Sequence, residues 1–435
     1  MKIDKEQLLK VVDFWQKSLE REVLCQREII KNIDYSSKEV VDLIGPRRSG
    51  KSSIMKLIVD KLGLKKNDFL YINFEDPFFI ENNNPLVFEE IVAIFREYYS
   101  SKLKFLFLDE VQEIKGWEKA VRKFRDGENF KIFLTGSSSK LLSKELATLL
   151  TGRHKTYNIL PLSFVEFLIF RKIKIDTPKD LILQDKKIKK QFLDFLTLGG
   201  FPEPVLGNDQ QLLKEYFYDI LQKDIMVRYQ IRERETLEKI AIYLLSNIGK
   251  PISVEVLKQT YNISFVLASK YIAYLQEAFL VFGLTQFSFS LKKQAKAFKK
   301  TYAIDTGLAN AVSFRFSQDK GRYLENAVFL ELMRKKEKIY YYKTKNNLEV
   351  DFAVFEKQKV KILIQVAWSL QDEQTKKREM AGLFEAMEEC ELKRGIILTY
   401  DEQALIKVGD KSIKVVPVWK WMLEKQVSPD PRPNL

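Results

Sequence analysis

One stretch of the chain carries residues whose types and spacing suit phosphate binding. It fills the pattern G-x-x-x-x-G-K-[ST] with Gly45, Pro46, Arg47, Arg48, Ser49, Gly50, Lys51 and Ser52, followed by Ser53. The apolar run Val40–Ile44 precedes it and a helix-like segment follows, which is the context that this pattern requires. Glycines let the backbone curl until successive N–H groups and a helix N-terminus point at a phosphate. The sequence therefore predicts a nucleoside triphosphate site.

Within this site the basic and hydroxyl residues have separate predicted tasks. Lys51 would reach the β- and γ-phosphates, and Ser52 would bind Mg²⁺. Arg47 and Arg48 either contact phosphate or nucleic acid or lie exposed to solvent. The pattern alone leaves both alternatives open.

A second polar group follows another apolar run. Phe105–Leu108 leads directly into Asp109 and Glu110. We predict that Asp109 holds the Mg²⁺ shell and that Glu110 polarises the attacking water, because hydrolysis depends on positioning and on charge stabilisation. The next predicted strand ends in Thr135 and Ser137, either of which is a candidate sensor of water or of the γ-phosphate. Otherwise this segment is only a turn.

The C-terminal part of the chain places acids in a third pattern. A predicted helix, the start of a strand and the following strand carry Glu325, Glu349, Asp351 and Gln365. This order resembles the restriction-endonuclease fold, in which acids gather Mg²⁺ and a lysine orients the attacking water. Here Ala367 stands where the lysine is expected and Gln365 where an acid is expected, although Lys343 is a candidate substitute. We expect a nuclease-like fold retained for contact with DNA or protein, with active cleavage as the alternative.

Basic residues form a fourth pattern. The predicted recognition helix, Phe265–Ala278, offers Ser269 and Lys270 on its polar face. The predicted wing that follows would neutralise phosphates without reading bases, through Lys292, Lys293, Lys296, Lys299 and Lys300. The pattern favours DNA binding by a winged helix, with a protein–protein module as the alternative.

The elements that must position these residues follow from the hydrophobic pattern. Short apolar runs alternate with amphipathic stretches up to about residue 157, which predicts a parallel α/β sheet. Its predicted strands are Val40–Ile44, Phe69–Asn73, Phe105–Leu108 and Ile132–Thr135. After Pro161 the pattern turns helical. The predicted domains are an N-terminal helical arm (1–36), a P-loop ATPase core (37–160), a helical lid or linker (161–234), a winged helix (235–305), a nuclease-like α/β domain (306–427) and a disordered tail (428–435).

Composition narrows the class of protein. A chain of 435 residues is expected to form several domains of ~100–200 residues each. Its formal net charge of +14 favours an acidic partner such as nucleic acid, although a lysine-rich surface of the heat-adapted kind is an alternative. Two cysteines and one histidine argue against a disulfide framework, a zinc cluster and a Ser-His-Asp triad. No apolar run approaches the ~20 residues of a membrane helix, and no signal peptide is visible, so we expect a cytoplasmic protein without a membrane partner.

The motifs together resemble one family. GPRRSGKS, FLFLDEVQEI and LTGSSSKLLSKELATLLTGR followed by LPLSFVEFL resemble the AAA-type ATPases of archaea and bacteria that couple a P-loop domain to a winged helix, often with a nuclease-like C-terminal domain of the DUF4143 type. The resemblance implies an AAA+ core that uses ATP with Mg²⁺ and a sensor role for Thr135 or Ser137. It also implies that Arg153 reaches a γ-phosphate and stabilises transition-state charge.

Two classes of function are candidates for what such an ATPase does with the energy of hydrolysis. One is a DNA-binding factor switched by ATP, and the other is a signalling or defence ATPase whose winged helix and C-terminal domain bind a protein. An ATP-regulated nuclease is a further alternative. DNA is the expected partner, and a protein partner or further copies of this chain remain open.

Overall fold

The structure is a computed structural model, and it describes residues 3–19, 24–128, 130–137, 153–288, 290, 292, 294, 297–313, 319–357 and 359–427. The predicted tail, 428–435, lies outside the described residues. The chain divides into two compact units. One comprises Met1–Leu160 with Glu277–Phe279, and the other comprises Pro161–Gln276 with Leu280–Leu435.

A parallel sheet forms the centre of the first unit. Its strands, in the part of the chain that the structure describes, are β1 Val40–Ile44, β2 Phe69–Asn73, β3 Phe105–Asp109, β4 Lys131–Gly136 and β5 His154–Asn158. They lie in the order β2-β3-β4-β1-β5. The first four are mostly apolar because parallel strands in the middle of an α/β unit are covered on both faces. The predicted parallel α/β fold is therefore confirmed.

The register of this sheet places the polar residues at the carboxyl ends of its strands close together. Val41 of β1 lies opposite Phe133 of β4, and Leu108 of β3 lies opposite Leu134 of the same strand. Because all three strands run in the same direction, their carboxyl ends meet at one edge. The glycine-rich loop, Asp109 and Thr135 follow or end these strands and so come together.

Helices cover the sheet of the first unit. They are α1 Lys5–Ser18, α2 Lys51–Leu62, α3 Phe78–Glu81, α4 Leu86–Tyr98 and α5 Trp117–Gly127, with short 3-10 turns at Glu28–Lys31 and Val111–Glu113. The buried side chain of Gln16 on α1 forms hydrogen bonds with the backbone of β2, as a neighbouring strand would. Its amide donates to the Phe69 carbonyl at 2.8 Å and accepts from the Tyr71 N–H at 3.1 Å. Helix α1 thereby satisfies the backbone groups of an edge strand.

The second unit begins with helices, as predicted from the change of pattern after Pro161. They are α6 Phe164–Phe170, α7 Pro178–Leu183, α8 Asp185–Leu198, α9 Pro202–Gly207 and α10 Gln211–Asp219, which continues as a π-helical segment, Ile220–Val227. A capping box begins α6: the Ser163 hydroxyl accepts from the Glu166 N–H, and the Glu166 carboxylate accepts from the Ser163 N–H.

Three helices and three short strands follow. In chain order they are α11 Arg234–Ser246, β6 Pro251–Ile252, α12 Val254–Tyr261, α13 Phe265–Glu277, β7 Val281–Leu284 and β8 Lys299–Ala303. The strands pair antiparallel in the order β6-β8-β7. The predicted recognition helix Phe265–Ala278 corresponds to α13. This order is compatible with the winged helix, which stays a prediction.

A mixed sheet with helices completes the second unit. Its elements are α14 Thr306–Ser313, α15 Lys320–Arg334, β9 Lys338–Lys343, β10 Glu349–Glu356, β11 Lys359–Val366, α16 Glu373–Glu389, β12 Arg394–Thr399, β13 Ala404–Val408, β14 Lys411–Pro417 and α17 Val418–Val427. The strand order is β13-β14-β12-β11-β10-β9, with β11, β12 and β14 parallel and the other pairs antiparallel. The predicted additional α/β domain is present.

A buried carboxyl group connects the helical part of this unit to the start of α14. Asp305 Oδ2 accepts a hydrogen bond of 2.6 Å from the Gly200 N–H, and Oδ1 accepts one of 2.8 Å from the Leu308 N–H. A Cβ atom on Gly199 would lie 1.9 Å from Asp305 Oδ1, so only glycine fits there. Burial raises the pKa of Asp305 to about 6, although the two hydrogen bonds and then Arg334 act against that rise.

Among the described residues, no helix has both the length and the apolar character needed to cross a membrane.

Candidate functional site

The glycine-rich loop has a backbone that its sequence makes possible. A Cβ atom on Gly45 would lie 2.2 Å from the carbonyl oxygen of Ile159, so this position admits only glycine. Arg48 and Gly50 have left-handed backbones with φ of +65° and +93°. These turns let α2 begin at Lys51. The N-terminus of a 12-residue helix therefore opens onto the loop, where backbone N–H groups attract an anion.

An arginine that the sequence patterns did not indicate supports the loop. The Arg27 side chain is almost fully buried, with 7% of its surface exposed. Its Nη1 donates to the Ser49 carbonyl at 2.9 Å, and its Nη2 donates to the Leu160 carbonyl at 2.8 Å. Arg27 stands outside every recognised motif, so only the structure reveals this role. Through the Ser49 carbonyl it ties the loop to the backbone at Leu160.

The predicted phosphate-binding lysine is paired inside the unit. The Lys51 ammonium lies 3.1 Å from Glu110 Oε1 and donates to the carbonyls of Gly45 and Pro46 at 3.2 Å each. Only 4% of the Lys51 side chain is exposed. The structure thus joins two predicted catalytic residues from different elements. It also shows that Lys51 must exchange its partner Glu110 for a phosphate if it is to bind one.

Asp109 lies at the centre of a buried hydrogen-bond network. The Tyr71 hydroxyl donates to Asp109 Oδ2 at 2.8 Å, the Thr135 hydroxyl donates to Oδ1, and the Ser52 side chain also bonds to this carboxylate. Burial, followed by the charge of Glu110, raises the pKa of Asp109. Burial and Asp109 likewise raise the pKa of Tyr71 well above its usual value. Tyr71 is a further residue that the motifs did not indicate.

Glu110 is held by its neighbours in an unusual backbone conformation. Its φ is +51°, and its N–H donates to the Thr135 hydroxyl at 2.8 Å. Its Oε2 accepts a hydrogen bond of 2.7 Å from the Gln112 amide. Burial raises the pKa of Glu110, but Lys51 and Arg47 outweigh that effect and the pKa falls below its usual value. Glu110 is therefore a charged carboxylate held in place at both of its oxygens.

The residues around the loop fit a nucleoside triphosphate and Mg²⁺. The Ser49 hydroxyl is buried and has no hydrogen-bond partner among the described residues. The hydroxyl of Ser52 and the carboxylate of Asp109 form the hard oxygen donor set that Mg²⁺ prefers. These two residues would hold the metal, and the loop with Lys51 would hold the phosphates.

The remaining predicted residues of the loop are less enclosed. Arg47 forms an ion pair with Glu75, and Arg48 is exposed. Pro46 is buried, and Ser53 is half-buried on the first turn of α2. Ser137 is fully buried at the last described position before residue 153. Thr135 binds both Asp109 and Glu110, so it positions these acids.

Arg153 lies far from the predicted γ-phosphate position. Its carbonyl accepts from the Val40 N–H at 3.1 Å, which places it at the amino ends of β1 and β5. The glycine-rich loop follows the carboxyl end of β1, a strand of 5 residues, or about 16 Å away at ~3.3 Å per residue. Arg153 instead lies 3.3 Å from Asp126. Within its own chain Arg153 therefore lies at the opposite end of β1 from the glycine-rich loop, and its predicted role toward a γ-phosphate stays a prediction.

The predicted nuclease-like acids do come together in the second unit. Glu325 of α15 and Glu349 and Asp351 of β10 lie 3.1, 2.8 and 3.0 Å from one ammonium, that of Lys300 on β8. Gln365 accepts from the Asp351 N–H at 3.2 Å and donates to Glu379, which was not predicted, at 2.5 Å. Lys343 lies 3.9 Å from Glu349. Ala367 is buried in the apolar core.

Lys300 is consequently not available to DNA. Its side chain is 2% exposed, because β8 turns it toward the acids. Burial lowers the pKa of Lys300, but Glu325 and the other acids outweigh burial and hold the pKa well above its usual value. The prediction that Lys300 neutralises a DNA phosphate is therefore wrong.

The other predicted DNA-binding residues differ in how far they are exposed to solvent. On α13, Ser269 is half-buried and Lys270 is exposed. Lys292 and Lys299 are exposed. Lys293 and Lys296 lie outside the described residues. The charged surface near β8 is thus partly present, without Lys300.

Family models match most of the chain in three parts. The model of the AAA domain matches residues 37–168. Models of two domains of unknown function, DUF8612 and DUF4143, match residues 189–319 and 320–421.

Two relatives align with most of the chain. An uncharacterized protein of Methanocaldococcus jannaschii is 36% identical over 440 residues, which cover 93% of this chain and 96% of that protein. An uncharacterized protein of Haemophilus influenzae is 30% identical over 351 residues, covering 78% and 85%.

Two solved structures match more loosely. The structure of Caenorhabditis elegans PCH-2 has a TM-score of 0.23 at 17% identity, and the match covers 42% of this chain and 47% of that one. The crystal structure of Cdc6p from Pyrobaculum aerophilum has a TM-score of 0.27 at 12% identity, covering 69% and 90%. Scores this low support no inference about function.

Proposed function

Since this chain belongs to a family of AAA-type P-loop ATPases with relatives in archaea and bacteria, we propose that it binds and hydrolyses ATP with Mg²⁺ and that this cycle switches its binding to DNA. The observation that carries the ATPase part is the contact of Lys51 with Glu110 beside Asp109 and Ser52. These four groups are the ones that phosphate binding, metal binding and activation of water require.

The contact between Lys51 and Glu110 suggests how substrate binding prepares the base. When bound, ATP and Mg²⁺ supply the phosphoanhydride that is cleaved and a divalent charge beside it. Lys51 turns from Glu110 toward phosphate oxygens, so Glu110 loses the cation that its Oε1 now contacts. Gln112 and Thr135 keep Glu110 in place. The freed oxygen then accepts a hydrogen bond from water and orients it for attack.

The DNA part of the proposal rests on the second unit. Three helices and three short antiparallel strands follow in an order compatible with a winged helix. Lys270, Lys292 and Lys299 are exposed there, and the formal net charge of the chain is +14. Such lysines bind phosphates of the nucleic acid backbone irrespective of base sequence.

A second candidate function has its own observation. Phe265 and Val266, at the start of the predicted recognition helix α13, are 51% and 62% exposed. Exposed apolar side chains side by side favour a protein surface as partner over a phosphate backbone. In this alternative the ATPase serves signalling or defence and α13 contacts a protein.

One experiment separates the two candidates. Gel shifts of duplex and single-stranded DNA are measured without nucleotide, with ADP and with ATP, and ATP hydrolysis is measured with and without the same DNA. The proposal predicts a nucleotide-dependent shift and DNA-stimulated hydrolysis. Hydrolysis indifferent to DNA, with no shift under any nucleotide, would favour the protein partner.

A further inference from the structure

The acidic centre of the second unit contains its own cation. Lys300 extends from β8 into the space between α15 and β10, where its ammonium lies within 3.1 Å of three different carboxylates. An ammonium has three N–H donors, and three acceptors are present here. Lys300 has no donor left with which to orient a water molecule.

The carboxylate oxygens of this centre are largely occupied. Glu325 Oε1 accepts from the Tyr302 hydroxyl at 2.6 Å as well as from Lys300 at 3.1 Å. Asp351 uses Oδ1 for Lys300 at 3.0 Å and Oδ2 for the Val366 N–H at 2.9 Å. The amide of Gln365 is held between the Asp351 N–H and Glu379.

The centre is also closed. Glu325 and Asp351 are 8% and 6% exposed. A Cβ atom on Gly249, whose φ is +73°, would lie 2.9 Å from Glu325 Oε2, so the backbone approaches the acids directly. A DNA phosphodiester must touch both a metal ion and the water that attacks it. Of the three acids, only the Glu349 side chain, 33% exposed, lies at the edge of the centre, and Glu325 and Asp351 are too buried to share a metal ion with a phosphodiester.

A divalent metal does not fit these residues as they stand. Mg²⁺ binds oxygen ligands at ~2.0–2.1 Å in near-octahedral geometry and keeps several waters. The point equidistant from the three acids is taken by a positive group that would repel a second cation. Among the described residues, no group of three or more His, Cys, Asp or Glu side chains is arranged to hold a metal ion.

We propose that Lys300 is the resident cation of this centre, that the centre neither binds a divalent metal nor cleaves nucleic acid, and that its acids instead fasten β8 to the C-terminal sheet. The fold and the acids of a nuclease-like site then serve as an anchor. A nuclease-like site would have a lysine where this chain has Ala367. Lys300 does not take over the function of that lysine, because all N–H donors of Lys300 are engaged by the acids. This inference does not depend on ATP hydrolysis or on DNA binding.

The first test uses the wild-type chain. Mn²⁺ binding is measured without nucleotide by electron paramagnetic resonance, and cleavage of plasmid and single-stranded DNA is measured with Mg²⁺ or Mn²⁺. We expect the wild type and Glu349→Gln to bind Mn²⁺ equally and to leave the DNA intact. Mn²⁺ binding that Glu349→Gln weakens at least tenfold, or cleavage that Lys300→Ala abolishes, would overturn the proposal. The latter result would make Lys300 a catalytic lysine.

The second test removes the cation. Lys300→Ala leaves three acids around an empty space, and we expect it to bind one additional Mn²⁺ at least tenfold more tightly than the wild type does. The double change Lys300→Ala with Glu349→Gln should weaken that site again. Lys359→Ala, an exposed lysine of the same sheet, is the matched control and should gain nothing. A folded Lys300→Ala chain that gains no Mn²⁺ site would contradict the proposal, and if this variant does not fold, the wild-type measurements decide.

Discussion

The Glu110 carboxylate has partners on both of its oxygens, and they have different consequences. Lys51 contacts Oε1 through an ion pair that ATP would break in the mechanism we propose, whereas Gln112 contacts Oε2 through a hydrogen bond that ATP would leave in place. The ion pair therefore affects when the base is available, and the hydrogen bond affects where it points. This division assigns Gln112 a positioning role that no motif predicts.

Replacing Gln112 by Ala should slow ATP hydrolysis without weakening nucleotide binding. A hydrogen bond to a charged group contributes ~1.5–3 kcal/mol, so we expect kcat to fall by about 10- to 100-fold. KM for ATP should change little because Gln112 contacts the base and not the loop. Steady-state kinetics measure both constants, with Gln7→Ala, an exposed glutamine of α1, as control. A rise in KM with kcat unchanged would be incompatible with this role.

Asp305 makes the stability of the second unit depend on pH, and its raised pKa determines the direction of that dependence. Its pKa is raised to about 6 in the folded chain from 3.8, so between these pH values the folded state binds more protons than the unfolded state. The stability that Asp305 contributes is thus highest at low pH and falls as pH rises toward 6. At ~1.4 kcal/mol per pKa unit the loss is about 3 kcal/mol.

Urea unfolding of wild type and Asp305→Asn between pH 4 and pH 7 measures this effect. The difference in free energy of unfolding, wild type minus variant, should decrease by about 2 kcal/mol across that range because the asparagine does not titrate. Asp176→Asn removes an exposed carboxyl group of the same unit and is the control. A difference that stays constant with pH would show that Asp305 is already charged when the chain is folded at low pH.

At the scale of single residues, local sequence motifs identify the residues of the candidate site. They do not reveal contacts between residues that are distant in the sequence. The spacing around Lys51 and the acids after Phe105–Leu108 indicate the residues that the structure joins, because each sits at the end of its own strand. Arg27 and Tyr71 stand outside any motif, and their partners are distant in sequence. Lys300 is misassigned because a lysine in a basic stretch gives no sign of the acids that enclose it.

Buried secondary-structure elements are predicted from the sequence more accurately than exposed ones. The apolar strands β1 to β4 are found within a residue or two of their predicted ends. The strand β5 at the sheet edge is polar apart from its buried Tyr157, and most of β13 is exposed, so neither has an apolar run to reveal it. The direction of β5 also sets the position of Arg153, since only strand pairing shows which end of the sheet it occupies.

The segment between β7 and β8 allows a test of DNA contact at the scale of one element. Changing Lys292, Lys293 and Lys296 to Ala should weaken binding to all duplex sequences alike. Each lost phosphate contact should reduce the slope of log affinity against log salt by ~0.9, or by about 2–3 for the three. Fluorescence anisotropy at several salt concentrations measures the slope.

A matched variant controls for net charge. Lys186, Lys187 and Lys190 are exposed on α8, and their change to Ala removes the same charge from a different element. This variant should keep the wild-type slope. If the two triple variants behave alike, the effect is one of overall charge, and the segment between β7 and β8 has no specific contact with DNA.

For the whole molecule, the three matched domains occur together in one chain and span a relative from Methanocaldococcus jannaschii almost end to end. The AAA domain supplies the nucleotide site, and the second unit supplies an acidic centre with its own cation and an exposed basic surface. On this account the C-terminal part responds to the ATPase by binding, without chemistry of its own.

The central claim is that Glu110 activates water at a nucleotide site held by Lys51, and a pair of variants tests it most directly. ATP binding is measured by equilibrium dialysis and ATP hydrolysis by phosphate release for wild type, Glu110→Gln, Lys51→Ala and the control Glu97→Gln, an exposed acid of α4. Glu110→Gln should bind ATP at least as tightly as wild type, because it removes the competing partner of Lys51, and should lose hydrolysis by about 100-fold or more. Lys51→Ala should lose binding itself. Hydrolysis by Glu110→Gln at the wild-type rate would contradict the account.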